Sequence, residues 1–152
     1  MRKYYLAYGS NLNVRQMRFR CPTAVVIGKG VIKDYRLLFK GSKTGSYLTI
    51  EKAKGYEVPV AVWKVDEASE KALDRYEGYP SFYYKKEIEI DYASIKKKEP
   101  RRCKAFVYIM HEERELGIPS RGYVEVCLEG YRTFGFNPIL IEEAIIKSME
   151  VR

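Results

Sequence analysis

Tyr4-Tyr5-Leu6-Ala7-Tyr8-Gly9-Ser10-Asn11-Leu12-Asn13, close to the start of the 152-residue chain, is the stretch on which the fold turns. Its first five residues are aromatic or apolar at every position. A run that short, apolar on both faces, reads as an interior strand, and Gly9 stops it. Asn13 then caps a short helix over 14–19, with Gln16 three residues on and Pro22 just past its end. Working outward, the stretches 27–39, 47–51, 58–65, 82–92 and 104–110 are rich in β-branched and aromatic residues. Gly, Ser or Lys clusters separate them, so each reads as a strand. Six strands make β-structure the scaffold.

The helical signals are local and complete. Asp66 caps a helix carrying Glu67 and Glu70 in its first turn and Lys71 and Arg75 in its last, with Gly78 beyond, which complements the macrodipole at both ends. Its expected inward stripe is Ala68, Ala72 and Tyr76, with Leu73 alongside. Ser120 caps a second long helix, in which Tyr123, Cys127, Tyr131 and Phe134 share a face before Gly135. Asn137-Pro138 opens a last helix whose expected buried face is Ile141, Ile145 and Met149. The class is α+β, with helices packed around a sheet or small barrel. No repeat, linker or shift of composition divides the chain, so one domain over 1–152 is expected.

Composition narrows the function. The longest apolar run, 58–63, is six residues and contains Pro59, far short of the roughly 20 that a membrane-spanning helix needs. The basic Met1-Arg2-Lys3 start is followed by too short an apolar stretch for a signal peptide, which points to a cytoplasmic protein without a membrane partner. Three widely spaced cysteines, Cys21, Cys103 and Cys127, suggest neither a disulfide framework nor a thiolate zinc site. The formal net charge of +8 raises the question of nucleic acid. The densest basic run, Lys96-Lys97-Lys98-Glu99-Pro100-Arg101-Arg102, reads as an exposed hairpin tip, and the 14 tyrosines come without any RNA-binding signature. Nucleic acid is therefore not the expected partner.

Most familiar chemistries are absent. The single histidine, His111, sits in a charged stretch and reads as surface, and there is neither a Gly-x-Ser-x-Gly elbow nor a Gly-Lys-Ser/Thr phosphate loop. Gly28-Lys29-Gly30 imitates a dinucleotide fingerprint but runs into a strand. Gly41 to Gly45 reads as a hairpin turn. Two places survive. In Tyr8-Gly9-Ser10-Asn11-Leu12, successive N–H groups can converge on one point ahead of a helix, forming an anion or oxyanion pocket; an ordinary strand-to-helix turn is the alternative. In Tyr76-Glu77-Gly78-Tyr79-Pro80, a carboxylate falls at a helix C-terminus among aromatic rings. The dipole and desolvation would both raise its pKa and fit it for acid/base work, a solvated helix-end glutamate being the alternative.

Together, Tyr8-Gly9-Ser10-Asn11-Leu12, Leu73-Asp74-Arg75-Tyr76-Glu77-Gly78 and Pro119-Ser120-Arg121-Gly122-Tyr123 resemble, in order, three motifs of the γ-glutamylcyclotransferase family, including its AIG2-like members. The resemblance implies a small, mostly antiparallel β-barrel with flanking helices. It also implies that Tyr8, Gly9, Ser10, Asn11, Leu12 and Tyr123 bind substrate and that Glu77 is the catalytic acid/base. The implied reaction cleaves a small γ-glutamyl amide by attack of its own α-amine, giving 5-oxoproline and a free amine, with no metal or cofactor. The alternative is a non-catalytic module on the same fold that holds a γ-glutamyl or carboxylate ligand.

Overall fold

In the computed structural model, which describes residues 2–42 and 45–150, strand β1 (Lys3–Ala7) is flanked on both sides. It pairs antiparallel with β3 (Gly45–Val65), placing Leu6 opposite Val62, and parallel with β5 (Pro100–Met110), placing Tyr5 opposite Phe106. This is the environment its two apolar faces demand: Tyr5, Leu6 and Ala7 are all buried. β2 (Val25–Ser42) and β3 form one long hairpin, paired from Ser42–Gly45 to Val25–Lys64. Residues 43 and 44 of the expected turn lie outside the described residues.

The stretches 47–51 and 58–65, expected as separate strands, are one strand. The ladder jumps from Lys33–Glu57 to Tyr35–Lys52, so 53–56 swell outward opposite Asp34. Asp34 adopts φ 63° and its carboxylate accepts the Gly55 N–H at 3.0 Å. The polar residues that resembled a loop are a bulge carried by its partner strand.

β4 (Tyr83–Ser94) pairs with β5 along its length and touches β2 only at Gly28–Ser94, Lys29–Ala93 and Gly30–Tyr92. That short contact closes the barrel in the order β3-β1-β5-β4-β2, with β2 returning to β3 and the two-residue β6 (Glu115–Leu116) added beside β2. Five strands close a mixed barrel in which only the β1–β5 pair is parallel. The glycines of Gly28-Lys29-Gly30 have a structural use: a Cβ on Gly28 would sit 2.3 Å from the Tyr92 ring, and one on Gly30 would sit 2.8 Å from the Asp91 carbonyl. At the far end of the β4–β5 hairpin the basic run is exposed as expected. Two of its cations are paired, Arg101 with Glu99 and Arg102 with both Glu89 and Asp91.

The helices form where their caps predict. Asn13 caps α1 (Val14–Arg20), Asp66 caps α2 (Glu67–Glu77) and Ser120 caps α3 (Arg121–Phe134), each side chain accepting an N–H three residues on. Gly78 and Gly135 end α2 and α3 in the left-handed conformation. α4 (Ile139–Ser148) follows Pro138. Among the described residues no helix is long and apolar enough to cross a membrane.

Two of the expected faces are rotated. In α2 the buried residues are Ser69 and Leu73, while Ala68 is exposed and Tyr76 stands 43% exposed at the side of a cavity. Hydrogen bonds explain this: Ser69 is held by the cap and by Thr23, and Tyr76 reaches across to Ser10. In α4 the buried face is Ile141, Ala144 and Ser148, leaving Met149 half exposed and Ile145 partly covered. His111 is half-buried and its Nε2 lies 2.7 Å from the Pro80 carbonyl, so it ties the loop after α2 to the end of β5.

Behind β1, a single 3-10 turn, Ser10–Leu12, is wedged against α3. Leu12 is fully buried, and α3 approaches it so closely that a Cβ on Gly130 would sit 2.6 Å from Leu12 Cβ and 2.7 Å from its backbone carbon. Neither atom is a flexible chain end, so Gly130→Ala must displace backbone. We expect it to cost about 1–3 kcal/mol, or roughly 2–4 °C of Tm per kcal/mol at this chain length. Gly122→Ala, in the same helix with nothing near its Cβ, should leave Tm unchanged or raise it. Thermal melts of the two variants side by side check both.

Candidate active site

Where β1 ends, the barrel opens into a cavity of about 330 Å³. Each wall comes from a different element. β1 and the turn after it contribute Tyr5, Tyr8, Gly9, Ser10 and Asn11; the last turn of α2 contributes Arg75, Tyr76 and Glu77. β3 adds Tyr47 and Leu48, the start of β4 adds Phe82 and Tyr83, and Tyr108 of β5 and Tyr123 of α3 complete the enclosure. Of the residues expected at the site, Tyr8, Gly9, Ser10, Asn11, Glu77 and Tyr123 converge here. Leu12 does not: its side chain is in the core against α3, where it anchors the loop without lining the cavity.

The loop is held from several directions. Tyr8 donates to the Tyr108 carbonyl at 2.7 Å, Asn11 Nδ2 donates to Tyr5 Oη at 2.8 Å, and Ser10 Oγ is 2.9 Å from Tyr76 Oη. Gly9 precedes the turn, and a side chain there would meet Tyr123 Oη at 3.4 Å, on the cavity wall. The Ser10 and Asn11 N–H groups open the 3-10 turn, so neither has an acceptor within it. Across the cavity, Tyr123 Oη accepts the Leu48 N–H at 3.1 Å and Tyr83 donates to the Leu48 carbonyl at 2.8 Å. Tyr108 donates to Asp74 at 2.6 Å, and that carboxylate is in turn 3.0 Å from Lys85.

Glu77 stands at the centre of these phenols. Burial pushes its carboxyl from 4.5 up to about 7, opposed by the positive charge of Arg20. The direction is the expected one, and desolvation is the dominant cause. The phenols register the same closeness. Burial first and the Glu77 charge second raise Tyr5 and Tyr8, and Glu77 adds to the effect of burial at Tyr83, Tyr108 and Tyr123. All five are neutral donors or acceptors at physiological pH. A carboxyl that titrates near neutrality can take a proton and return it. Among the described residues no cluster of three or more His, Cys, Asp and Glu side chains could hold a metal ion.

Sequence reasoning missed Tyr5, Tyr47, Leu48, Arg75, Phe82, Tyr83 and Tyr108 as cavity residues, and it read Tyr76 as part of a packed helix stripe and Gly78 as a helix stop only. The available signal was the tyrosine content itself: strands ending in tyrosine on a closed barrel bring those rings to one end.

The family described as Gamma-glutamyl cyclotransferase, AIG2-like, matches residues 5–125. The chain belongs to that family. The bovine protein named Gamma-glutamylcyclotransferase is 32% identical over 138 residues, covering 86% of this chain and 71% of the relative. The human protein of the same name is 30% identical over 148 residues, covering 93% of this chain and 76% of that one. A solved structure titled Gamma-glutamyl cyclotransferase superposes with a TM-score of 0.76 at 27% identity, over 100% of this chain and 89% of the other. The barrel and its flanking helices are therefore the family's fold. The matched span contains both the 8–12 loop and Glu77.

The raised pKa of Glu77 has a thermodynamic consequence. Between pH 4.5 and 7 the folded chain keeps a proton that the unfolded chain releases, so the contribution of Glu77 to stability falls as pH rises through that window. Glu77→Gln removes an ionisable group whose charged form is disfavoured by folding. The variant should be more stable than wild type at pH 8, by at most about 3 kcal/mol, and the gap should close below pH 4.5. Urea titrations at pH 4, 6 and 8 measure it.

Proposed function

We propose that this chain is a γ-glutamylcyclotransferase. It cleaves a small γ-glutamyl amide to 5-oxoproline and a free amine, with Glu77 as the one acid/base and Tyr8, Gly9, Ser10, Asn11 and Tyr123 enclosing the γ-glutamyl moiety. Membership of the family supports the reaction class. The observation that carries the assignment to this site is the Glu77 carboxyl, desolvated to a pKa of about 7 inside a cavity bounded by the 8–11 loop.

The reaction suits a small, preformed cavity because nucleophile and electrophile belong to one molecule. The site has to fold the substrate so that its amine meets its own γ-carbonyl, and such preorganisation contributes much of an intramolecular rate. Ionised Glu77 takes a proton from the α-ammonium. The freed lone pair forms the new C–N bond and closes the five-membered ring, while the carbonyl oxygen takes on negative charge. Glu77 then hands its proton to the amide nitrogen, and the old C–N bond breaks. As that bond breaks the oxyanion collapses back to a carbonyl. The ring nitrogen, which attacked as an amine and still carries one proton too many, gives it to the re-ionised Glu77, from which it leaves on the released amine as its ammonium. Two protons leave the α-nitrogen and two arrive on the departing one, so no external acid or base is consumed. The N–H groups of the 3-10 turn are the donors for a substrate oxygen, either the α-carboxylate or the developing oxyanion. The neutral phenols supply shape and hydrogen bonds without adding a charge to compete with Glu77.

A panel of γ-glutamyl dipeptides, γ-glutamyl-ε-lysine and glutathione, assayed for 5-oxoproline, tests the proposal. Wild type should release it from at least one member, and Glu77→Gln, folded, should be slower by at least about 100-fold. A binding module on the same fold would hold a panel member by calorimetry with no release from either protein. The base must be ionised in the free enzyme, so kcat/KM should rise with pH, reach half its plateau near pH 7 and fall about tenfold per unit well below that. A flat profile between pH 5 and 8 would remove Glu77 from the role.

A further inference from the structure

Arg20, at the end of α1, is not among the residues that line the cavity, yet its guanidinium joins two of the pieces that do, the 8–11 loop and α2, and is steadied by Gln16 of its own helix. Nη1 donates to Asn11 Oδ1, Nη2 donates to Gln16 Oε1 at 3.2 Å, and Cζ stacks 3.4 Å from the centroid of the Tyr76 ring. Two of these partners continue inward. Asn11 passes its own N–H to Tyr5 Oη, and Tyr76 Oη meets Ser10 Oγ. One planar cation thus holds the 8–11 loop twice, directly at Asn11 and through the Tyr76 ring at Ser10. The residue after Tyr76 is Glu77.

The partners of Arg20 are two amide oxygens and a ring face, all neutral, so its charge is not cancelled by these contacts. The other strands and the helix that wall the cavity bring phenols to it: Tyr5 of β1 and Tyr8 just after it, Tyr47 of β3, Tyr83 of β4, Tyr108 of β5 and Tyr123 of α3. On its own helix Glu77 has Tyr76 and the exposed Arg75. Among all these, Arg20 is the group whose charge acts on the Glu77 carboxyl, and it acts in favour of the ionised form. Without it, desolvation would be unopposed.

We infer that Arg20 is a positioning residue of this site: it clamps the 8–11 loop to the last turn of α2 and brings a positive charge that its own contacts leave uncancelled to the turn that carries Glu77, without itself touching substrate. Lysine cannot replace it fully. An ammonium would restore the charge, but it has neither the planar fork that reaches Asn11 and Gln16 together nor the flat face that covers Tyr76.

The inference rests on the cyclotransferase reading for its kinetic arm only. Arg20→Met should move the acidic limb of kcat/KM to higher pH by about one unit and leave kcat roughly tenfold or more below wild type on the plateau, where the limb no longer matters. Arg20→Lys should return the limb toward its wild-type position while kcat stays low. A purely structural role would lower Tm and leave the limb where it was, and that result overturns the inference.

The second arm needs no turnover. In protein labelled with ¹³C at glutamate carboxyls, the Glu77 resonance is identified by its loss in Glu77→Gln. Its midpoint should rise in Arg20→Met and recover in Arg20→Lys. Equal midpoints in wild type and Arg20→Met overturn the inference, whether or not any γ-glutamyl compound is cleaved. Absence of 5-oxoproline from wild type counts against the reaction and leaves this titration to decide the role of Arg20.

Discussion

The contact between Leu12 and Gly130 is the constraint from which the geometry of the site follows. A 3-10 turn three residues long has too few internal hydrogen bonds to hold a position by itself. Its place is set because Leu12 is driven into the core and α3 lacks the Cβ that would exclude it. Burying a leucine of this kind contributes about 1.5–3 kcal/mol, enough to fix one turn between a central strand and a helix. Once Leu12 is seated, Ser10 and Asn11 have to face the other way, toward the cavity. The same helix that carries Gly130 carries Tyr123, so a packing contact and a cavity wall are built from one rigid body.

Burial at the mouth of the barrel then creates the electrostatics. The ring of tyrosines removes water from Glu77 without giving it a counter-charge, and the carboxyl responds by holding its proton to about pH 7. The fold resists that cost elsewhere, through the closed barrel and the capped helices. Asp74 and Glu70, one and two turns earlier in α2, are both paired with Lys85. The helix therefore presents ion-paired carboxylates to the barrel wall and one desolvated carboxylate to the cavity. Functional sites commonly carry this kind of local destabilisation.

What could be read from the sequence was what local chemistry decides. The caps at Asn13, Asp66 and Ser120 and the left-handed stops at Gly78 and Gly135 each depend on a few adjacent residues, and they form where expected. Glu77 and the 8–11 loop each read equally as a solvated helix-end glutamate and an ordinary strand-to-helix turn when taken alone, and it was their combined resemblance to the family's motifs that singled them out. The bulge at 53–56 was not, since only pairing with β2 distinguishes it from a loop. Gly28 and Gly30 resembled a nucleotide motif until the approach of β4 explained them. Tyr108 and Tyr83 join the site through strand pairing across the barrel, which periodicity along one strand cannot reveal. Arg20 lay just beyond the helix expected over 14–19 and nothing in its neighbours singled it out; its bearing on Glu77 exists only because α1 and α2 touch.

The use of a carboxylate as base, in a chain whose one histidine is engaged by Pro80, has a physical logic under the proposed reaction. The group to be deprotonated is an ammonium. A histidine base would become cationic as it accepted that proton and would be neutral beforehand, offering the ammonium no attraction at any stage. An ionised glutamate attracts the ammonium, becomes neutral on taking the proton, and leaves an uncharged amine free to move toward the carbonyl. Its usual weakness is that a carboxylic acid near 4.5 is too weak a base to take much from an ammonium. Desolvation by the tyrosines raises its basicity to about 7, and Arg20 limits the rise so that the ionised form remains populated at neutral pH. Under that reaction the first influence makes the base strong enough and the second keeps it charged.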